Sequence, residues 1–231
     1  LNAKQIISDL IFNKNWDFKI LNNNWGKIIK ICSNQLILPS LHVKINKTEI
    51  KAPEDVKEYI EQIYLINQNR NRKLIAELRE IGEVLNSNKI NFVYIKGAAL
   101  LIKGFYKEFD RMIGDIDLLV ELNDFNKAVK ILKDYGYKCN NLILFSYQKH
   151  YPRLIRKDSL FAVEVHRGLL NSHKSLLDID YILKSKIFVN NLPVPSDYHQ
   201  LLIIIYNFQI NDFGYLSCSY SIKTLIDTKE I

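Results

Sequence analysis

One stretch limits this chain more than any other: Gly114-Asp115-Ile116-Asp117-Leu118-Leu119-Val120. Ile116, Leu118 and Val120 alternate with other residues, as in a strand with one face in a core, and residues two apart in a strand share a face. Asp115 and Asp117 therefore point the same way. Two neighbouring carboxylates repel, and burial adds to the cost. A hard divalent cation such as Mg2+ would offset both. The plainer reading is a strand end with two solvated aspartates, and the D-x-D spacing alone leaves both open.

The flanking segments favour a site. Phe92-Val93-Tyr94-Ile95 reads as a strand, and Lys96-Gly97-Ala98-Ala99-Leu100 as a glycine turn entering a helix. A glycine after a strand lets the main chain approach a phosphate, and the following helix start aims amides at it. Downstream, Phe161 to His166 reads as another strand with Glu164 and His166 on one face. The segments together offer a glycine turn, a carboxylate pair and a third carboxylate.

The pieces "YIKGAALL", "FDRMIGDIDLLV" and "VEVHRGLL" resemble, in that order, the nucleotidyltransferase superfamily with the DNA polymerase β-like fold. More closely, they are similar to an uncharacterised bacterial nucleotidyltransferase family, with Trp25 and the helix containing "NQNRNRKLIAELREIGEVL" fitting as well. The resemblance runs from about Trp25 to Asp227. It implies an α+β fold: a nucleotidyltransferase-like mixed sheet with flanking helices, plus N-terminal and C-terminal helical parts. Two features depart from the superfamily pattern. The turn is Gly97-Ala98 where Gly-Ser or Gly-Gly is usual, and the interval from Gly97 to Asp115 is longer.

The resemblance also implies roles. Asp115, Asp117 and Glu164 are the expected catalytic residues and metal ligands, for two Mg2+ ions or Mn2+ in their place. Lys96, Gly97, Ala98, Arg111 and His166 are the expected nucleotide-binding residues. The expected reaction moves NMP from an NTP to a hydroxyl acceptor (a small molecule, a protein or an RNA) and releases pyrophosphate. Arg111, four residues before Asp115, would bind a phosphate or pair with an aspartate. Two other readings stand beside this one. The same fold could bind a nucleotide or RNA without catalysis, which the missing turn serine favours and the three retained carboxylates oppose. A purely structural helical protein would leave the acidic strands unexplained.

The net charge of +7 and a pI near 9.1 suit a polyanionic partner, although Lys, Asn and Ile abound throughout. Cys32, Cys139 and Cys218 are scattered and odd in number, which argues against a disulfide framework and for a reducing, cytoplasmic setting. No apolar run is long enough for a membrane span, so no membrane partner is expected. Neither a signal-peptide layout nor an initiator Met opens the chain, and the helical pattern still runs at Ile231, so chain is expected beyond both ends.

Three regions are expected: an N-terminal helical region over 1–88, an α/β core over 89–190 and a C-terminal helical region over 191–231. In the first, Ile6, Ile7, Leu10 and Ile11 form one apolar patch, and Trp25, Ile28, Ile29 and Cys32 another, with a break at Pro39. Trp16 and Trp25 are assigned to the core. Pro53-Glu54-Asp55 starts a helix whose stripe runs through Val56, Tyr59, Ile60, Ile63, Leu74, Leu78, Ile81 and Leu85. In the polar, basic middle from Asn67 to Lys73, Arg70, Arg72 and Lys73 are read as a solvated face, with a phosphate contact as the alternative. In the core, Asp124 is expected to cap a helix closed by Gly136. Strands are expected over 137–144, 147–156 and 160–166, the middle one an edge because of Pro152. It carries Lys149, His150, Arg153 and Arg156, a basic group suited to substrate phosphates. Helices are expected over 201–205 and 220–226.

Overall fold

A computed structural model describes residues 7, 24–48, 50–106, 110–139, 149–169, 177–207, 222–229 and 231. The chain divides into two compact units, one of residues 1–72, 106–113 and 219–226, the other of 73–105, 114–218 and 227–231.

In the first unit, helix α1 (Trp25–Asn34) is followed by α2 (Leu38–Lys47), and the turn between them is made by Leu36 at φ +58°. Pro39 lies in the first turn of α2, where its missing N–H costs nothing. Trp25, Ile28, Cys32, Leu41, Ile45, Val56 and Ile60 are buried in one cluster that also holds Ile7 and Ile226. Trp25 is thus a core residue, whereas Trp16, Ile6, Leu10 and Ile11 lie outside the described residues.

Helix α3 runs unbroken from Glu54 to Ser87, 34 residues, about 50 Å at 1.5 Å per residue. The expected stripe is buried at Val56, Ile60, Leu74, Leu78, Ile81 and Leu85, but Tyr59 is exposed. In the polar middle of this helix Arg72 and Lys73 are exposed, as expected. Asn67 and Asn71 are fully buried, and both side-chain amides donate to the Arg111 carbonyl, at 3.2 and 2.9 Å. Arg70 donates to the Ile113 carbonyl at 2.6 Å. These side chains satisfy main-chain oxygens of segment 110–113, which lies outside the named helices and strands.

The second unit is built on a five-stranded sheet: β1 (Phe92–Ile95), β2 (Asp115–Val120), β3 (Lys138–Cys139), β4 (Leu154–Ile155) and β5 (Ala162–His166), in the order β1-β2-β5-β4-β3. β2 and β5 are parallel and the other pairs antiparallel, so the sheet is mixed and the α+β expectation holds. Between β1 and β2 lies helix α4 (Lys96–Ile102), and after β2 a single 3-10 turn leads into α5 (Phe125–Asp134). Val93, Ile95 and Leu119 face a cluster containing Ile182 and Leu183 of α6 (Ile179–Lys184) and Ile203 of α7 (Asp197–Tyr206). Behind the sheet, Tyr94 donates its hydroxyl to the Leu78 carbonyl at 2.6 Å.

Some local expectations change. Asp124 stands at the N-cap of α5 as expected, but its carboxylate makes no cap bond; it accepts from the Asn91 N–H at 2.9 Å and so ties the helix entry to the start of β1. Gly136 does close the helix, at φ +100°. Pro152 stands just before β4 and not in an edge strand, because β4 pairs on both sides and β3 forms the edge. Residues 140–148, part of two expected strands, lie outside the described residues. A hairpin, β6 (Ile187–Val189) and β7 (Leu192–Val194), precedes α7. Its turn residues Asn190 and Asn191 both have positive φ, the backbone of a primed two-residue turn. The last helix, α8, spans Ile222–Lys229.

Candidate active site

The register of the sheet assembles the site. β2 and β5 run parallel with Asp117 opposite Glu164 and Leu119 opposite His166, while Ile95 at the end of β1 lies opposite Asp117. Paired residues in a ladder share a face, and residues two apart repeat on it. Asp115, Asp117, Glu164 and His166 therefore converge on one face, at the end where β1 passes into α4. Asp117, Glu164 and His166 are 3 %, 7 % and 1 % exposed. One ligand atom from each of these three lies within 4.8 Å of the others, which makes them a candidate set for a metal ion.

Lys96 is the first residue after β1, with φ at +56°. A left-handed conformation is thus taken here by a lysine, where a Cβ makes it costly. Strain of this kind persists only where the surroundings hold it. Here the buried Gln200 of α7 donates to the Lys96 carbonyl at 2.8 Å, and the ammonium reaches Asp117 Oδ1 at 2.6 Å. Gly97 falls inside α4, and the Ala98 methyl is fully buried, so any contact from Ala98 to a ligand is left to its main chain.

His166 Nε2 meets the same Asp117 Oδ1 at 2.7 Å and lies 3.6 Å from Glu164 Oε2. Arg153, just after Pro152, spans the two strands: Nε donates to Glu164 Oε1 at 2.8 Å and a terminal N–H to Asp115 Oδ2 at 3.0 Å. Its side chain is 64 % exposed. His150 stands at the rim, its Nε2 3.9 Å from Glu164 Oε2 and its Nδ1 2.8 Å from the Tyr151 carbonyl.

The carboxylates respond differently to this setting. Burial works to raise the Asp117 pKa, but Lys96 and His166 outweigh it and hold the group well below the usual range. Burial also opposes ionisation of Glu164, yet hydrogen bonds from His166 and Arg153 bring it down to about 2. Asp115 goes the other way: burial and the charges of Asp117 and Glu164 raise it, and Lys96 and Arg153 offset this only in part. For Lys96, burial disfavours the charged form, but Asp117, Glu164 and Asp115 together raise its pKa. Two cations, Lys96 and Arg153, are thus paired with the three carboxylates.

Of the expected residues, the structure brings Asp115, Asp117, Glu164, His166 and Lys96 together, with Gly97 and Ala98 beginning the adjoining helix. Arg111 is placed differently. It belongs to the first unit, is 2 % exposed, and its guanidinium donates to the main-chain carbonyls of Leu36 and Met112. Those bonds order a loop and lend no support to a phosphate role. The arginine found among the carboxylates is Arg153, which the sequence shows only as one of four basic residues near Pro152. Gln200 gave no sequence signal at all.

Among the described residues no helix is long and apolar enough to cross a membrane. No curated protein matches the chain. A solved structure of a candidate nucleotidyltransferase from Thermotoga maritima aligns with 17 % identity and a TM-score of 0.47, covering 61 % of this chain and 88 % of that one. The family described as uncharacterised nucleotidyltransferase matches residues 22–230, nearly the whole chain and all three segments that build the carboxylate cluster. The chain therefore belongs to that uncharacterised nucleotidyltransferase family.

Proposed function

We propose that this transferase is metal-dependent and moves NMP from an NTP to a hydroxyl acceptor, with release of pyrophosphate. One observation carries the reading: Asp117 and Glu164 are held in register on adjacent parallel strands, buried, with Asp115 and His166 beside them.

The residues fit a divalent cation. Hard oxygen donors from two carboxylates and an imidazole nitrogen lie within 4.8 Å of one another, within one coordination sphere's reach. Asp117 and Glu164 would hold the first ion, and Asp115, nearer the rim, would share in a second. Divalent ions bound there supply Lewis-acid stabilisation of the attacked phosphoryl group and a lowered pKa for the acceptor hydroxyl.

The chain's own groups do the rest. Lys96 and Arg153 now neutralise the carboxylates. On entry of a nucleotide with its cations they are freed to pair with phosphate oxygens, Arg153 readily because most of its side chain is in solvent. Lys96 starts α4, so its ammonium and the Gly97 main chain lie on the side assigned to the leaving pyrophosphate. His166 fixes the Asp117 carboxylate from within the sheet. The acceptor is a hydroxyl on a small molecule, a protein or an RNA.

The test is transfer of label from an α-labelled NTP to acceptors in a cell extract or to the protein itself, with Mg2+ or Mn2+ and with chelator. Label should appear only with metal, and Asp117→Asn should abolish it while folding normally. Equal labelling by Asp117→Asn would refute the assignment.

A second reading keeps nucleotide binding without turnover. It is favoured by the buried Ala98 methyl, which leaves the turn without a hydroxyl for the triphosphate. Nucleotide binding in the same assay with no label transferred to any acceptor would select it.

A further inference from the structure

We propose that the cation in this cluster is bound through the His166 imidazole as well as through carboxylates, so that the site takes Mn2+ in preference to Mg2+. This rests on the metal-dependent reading above and deepens it by naming the ion and a nitrogen ligand.

The ring is placed where a cation would go. Nε2 lies 2.7 Å from Asp117 Oδ1 and 3.6 Å from Glu164 Oε2, in the notch between the two carboxylates that face each other across β2 and β5. The ring has little freedom to leave. His166 is 1 % exposed, ends a strand in the middle of the sheet, is bridged through its backbone to His150 and has the His150 ring 5.0 Å away, centre to centre. A cation entering between Asp117 and Glu164 therefore meets Nε2 directly.

The tautomer can follow. Facing a carboxylate at 2.7 Å, Nε2 carries the proton. Nδ1 is buried with no hydrogen-bond partner among the described residues, so a proton placed there would be unpaired, a cost that metal binding at Nε2 has to exceed. Ligation through Nε2 would require the Nδ1–H tautomer, whose Nε2 lone pair would be available to the metal. This differs from the usual metal-bound histidine, whose second nitrogen is held by a partner.

Donor chemistry then sets the preference. Mg2+ takes oxygen ligands in a strict octahedron and gains little from imidazole. An imidazole among the ligands shifts preference away from Mg2+ toward first-row transition ions, and of these Mn2+ is the one that also suits carboxylates and water. Two carboxylates with one imidazole thus favour Mn2+, whereas three carboxylates alone would not.

The experiment is pulsed electron paramagnetic resonance of Mn2+ added to the metal-stripped protein, with Mg2+ as competitor. Nitrogen-14 modulation is expected in the wild type, lost in His166→Ala and retained in His150→Ala. His166→Ala should also narrow the preference for Mn2+ over Mg2+ by roughly tenfold or more, at least the effect of removing a residue that merely orients a ligand. Bound Mn2+ without nitrogen modulation in the wild type would overturn the proposal, as would modulation that survives His166→Ala. The wild-type and His150→Ala spectra decide the matter even if His166→Ala does not fold. Label transfer measured in parallel separates the two claims. Transfer with Mg2+ and no nitrogen coupling defeats only the ligand assignment; nitrogen coupling with no transfer under any metal defeats only the catalytic reading.

Discussion

Glu164 and Asp115 are both carboxylates of one cluster, yet neutralising them should change stability in opposite directions in the metal-free protein. Glu164 is held at about 2 against an ordinary 4.5, so its ionised form favours the folded state. With about 1.4 kcal/mol per pKa unit, this amounts to about 3 kcal/mol at pH 7. A depressed folded pKa gives stability that is present above 4.5 and is lost as pH falls through about 2. Glu164→Gln should therefore cost about 3 kcal/mol at pH 7 but only about 1 kcal/mol at pH 3. Asp115 has the opposite shift: its pKa is raised, by burial first and then by Asp117 and Glu164. Its contribution is present below the ordinary aspartate value and is lost as pH rises through the folded value. Ionised Asp115 thus weakens the fold at pH 7, and Asp115→Asn should be neutral to stabilising there. Urea unfolding followed by tryptophan fluorescence, in chelator at pH 7 and pH 3, measures both. If the two variants destabilise equally, or if the Glu164→Gln cost does not change with pH, the charge distribution described for this cluster is wrong.

Further outcomes follow from the same contacts. Arg153→Gln should change stability by less than about 1 kcal/mol, since the side chain is mostly exposed, while tightening Mn2+ binding and raising the KM for NTP; calorimetry and the transfer assay check these. Lys96→Met removes the cation next to the proposed pyrophosphate position and should lower kcat more than it raises KM, as steady-state kinetics would show. Arg111→Met leaves the Leu36 and Met112 carbonyls without their charged donor and should cost about 2–3 kcal/mol in denaturant unfolding. Unchanged stability with a purely kinetic defect would instead favour the expected phosphate role of Arg111. Gly136→Ala forces a Cβ into φ +100° and should cost about 1–2 kcal/mol, read as a lower unfolding midpoint.

Much of the site is legible in the sequence because period-two alternation fixes which side chains share a face. The pairs Asp115 with Asp117 and Glu164 with His166 needed nothing more. That the pairs meet depends on the parallel register of β2 and β5, which no local pattern specifies. The burial of Asn67 and Asn71 was illegible for a related reason. A polar residue on a helix reads as solvent-facing unless the irregular segment that needs its amide is known. Arg153 was hidden among basic neighbours, and only the interruption at Pro152 singles it out. The hairpin was more accessible, since Asn190-Asn191 between apolar residues is a primed-turn signal. The strain at Lys96 was not readable at all, because a glycine stands next to it in the sequence and is the residue type that adopts positive φ most readily.

The most direct measurement is a crystal structure of the protein soaked with Mn2+ and a non-hydrolysable NTP analogue, with anomalous scattering used to locate the metal. A peak within bonding distance of Asp117 and Glu164, with Lys96 and Arg153 turned from the carboxylates to the phosphates, is the predicted result. Nucleotide bound elsewhere, with both cations still on Asp117, Asp115 and Glu164 and no metal between the strands, would contradict the account.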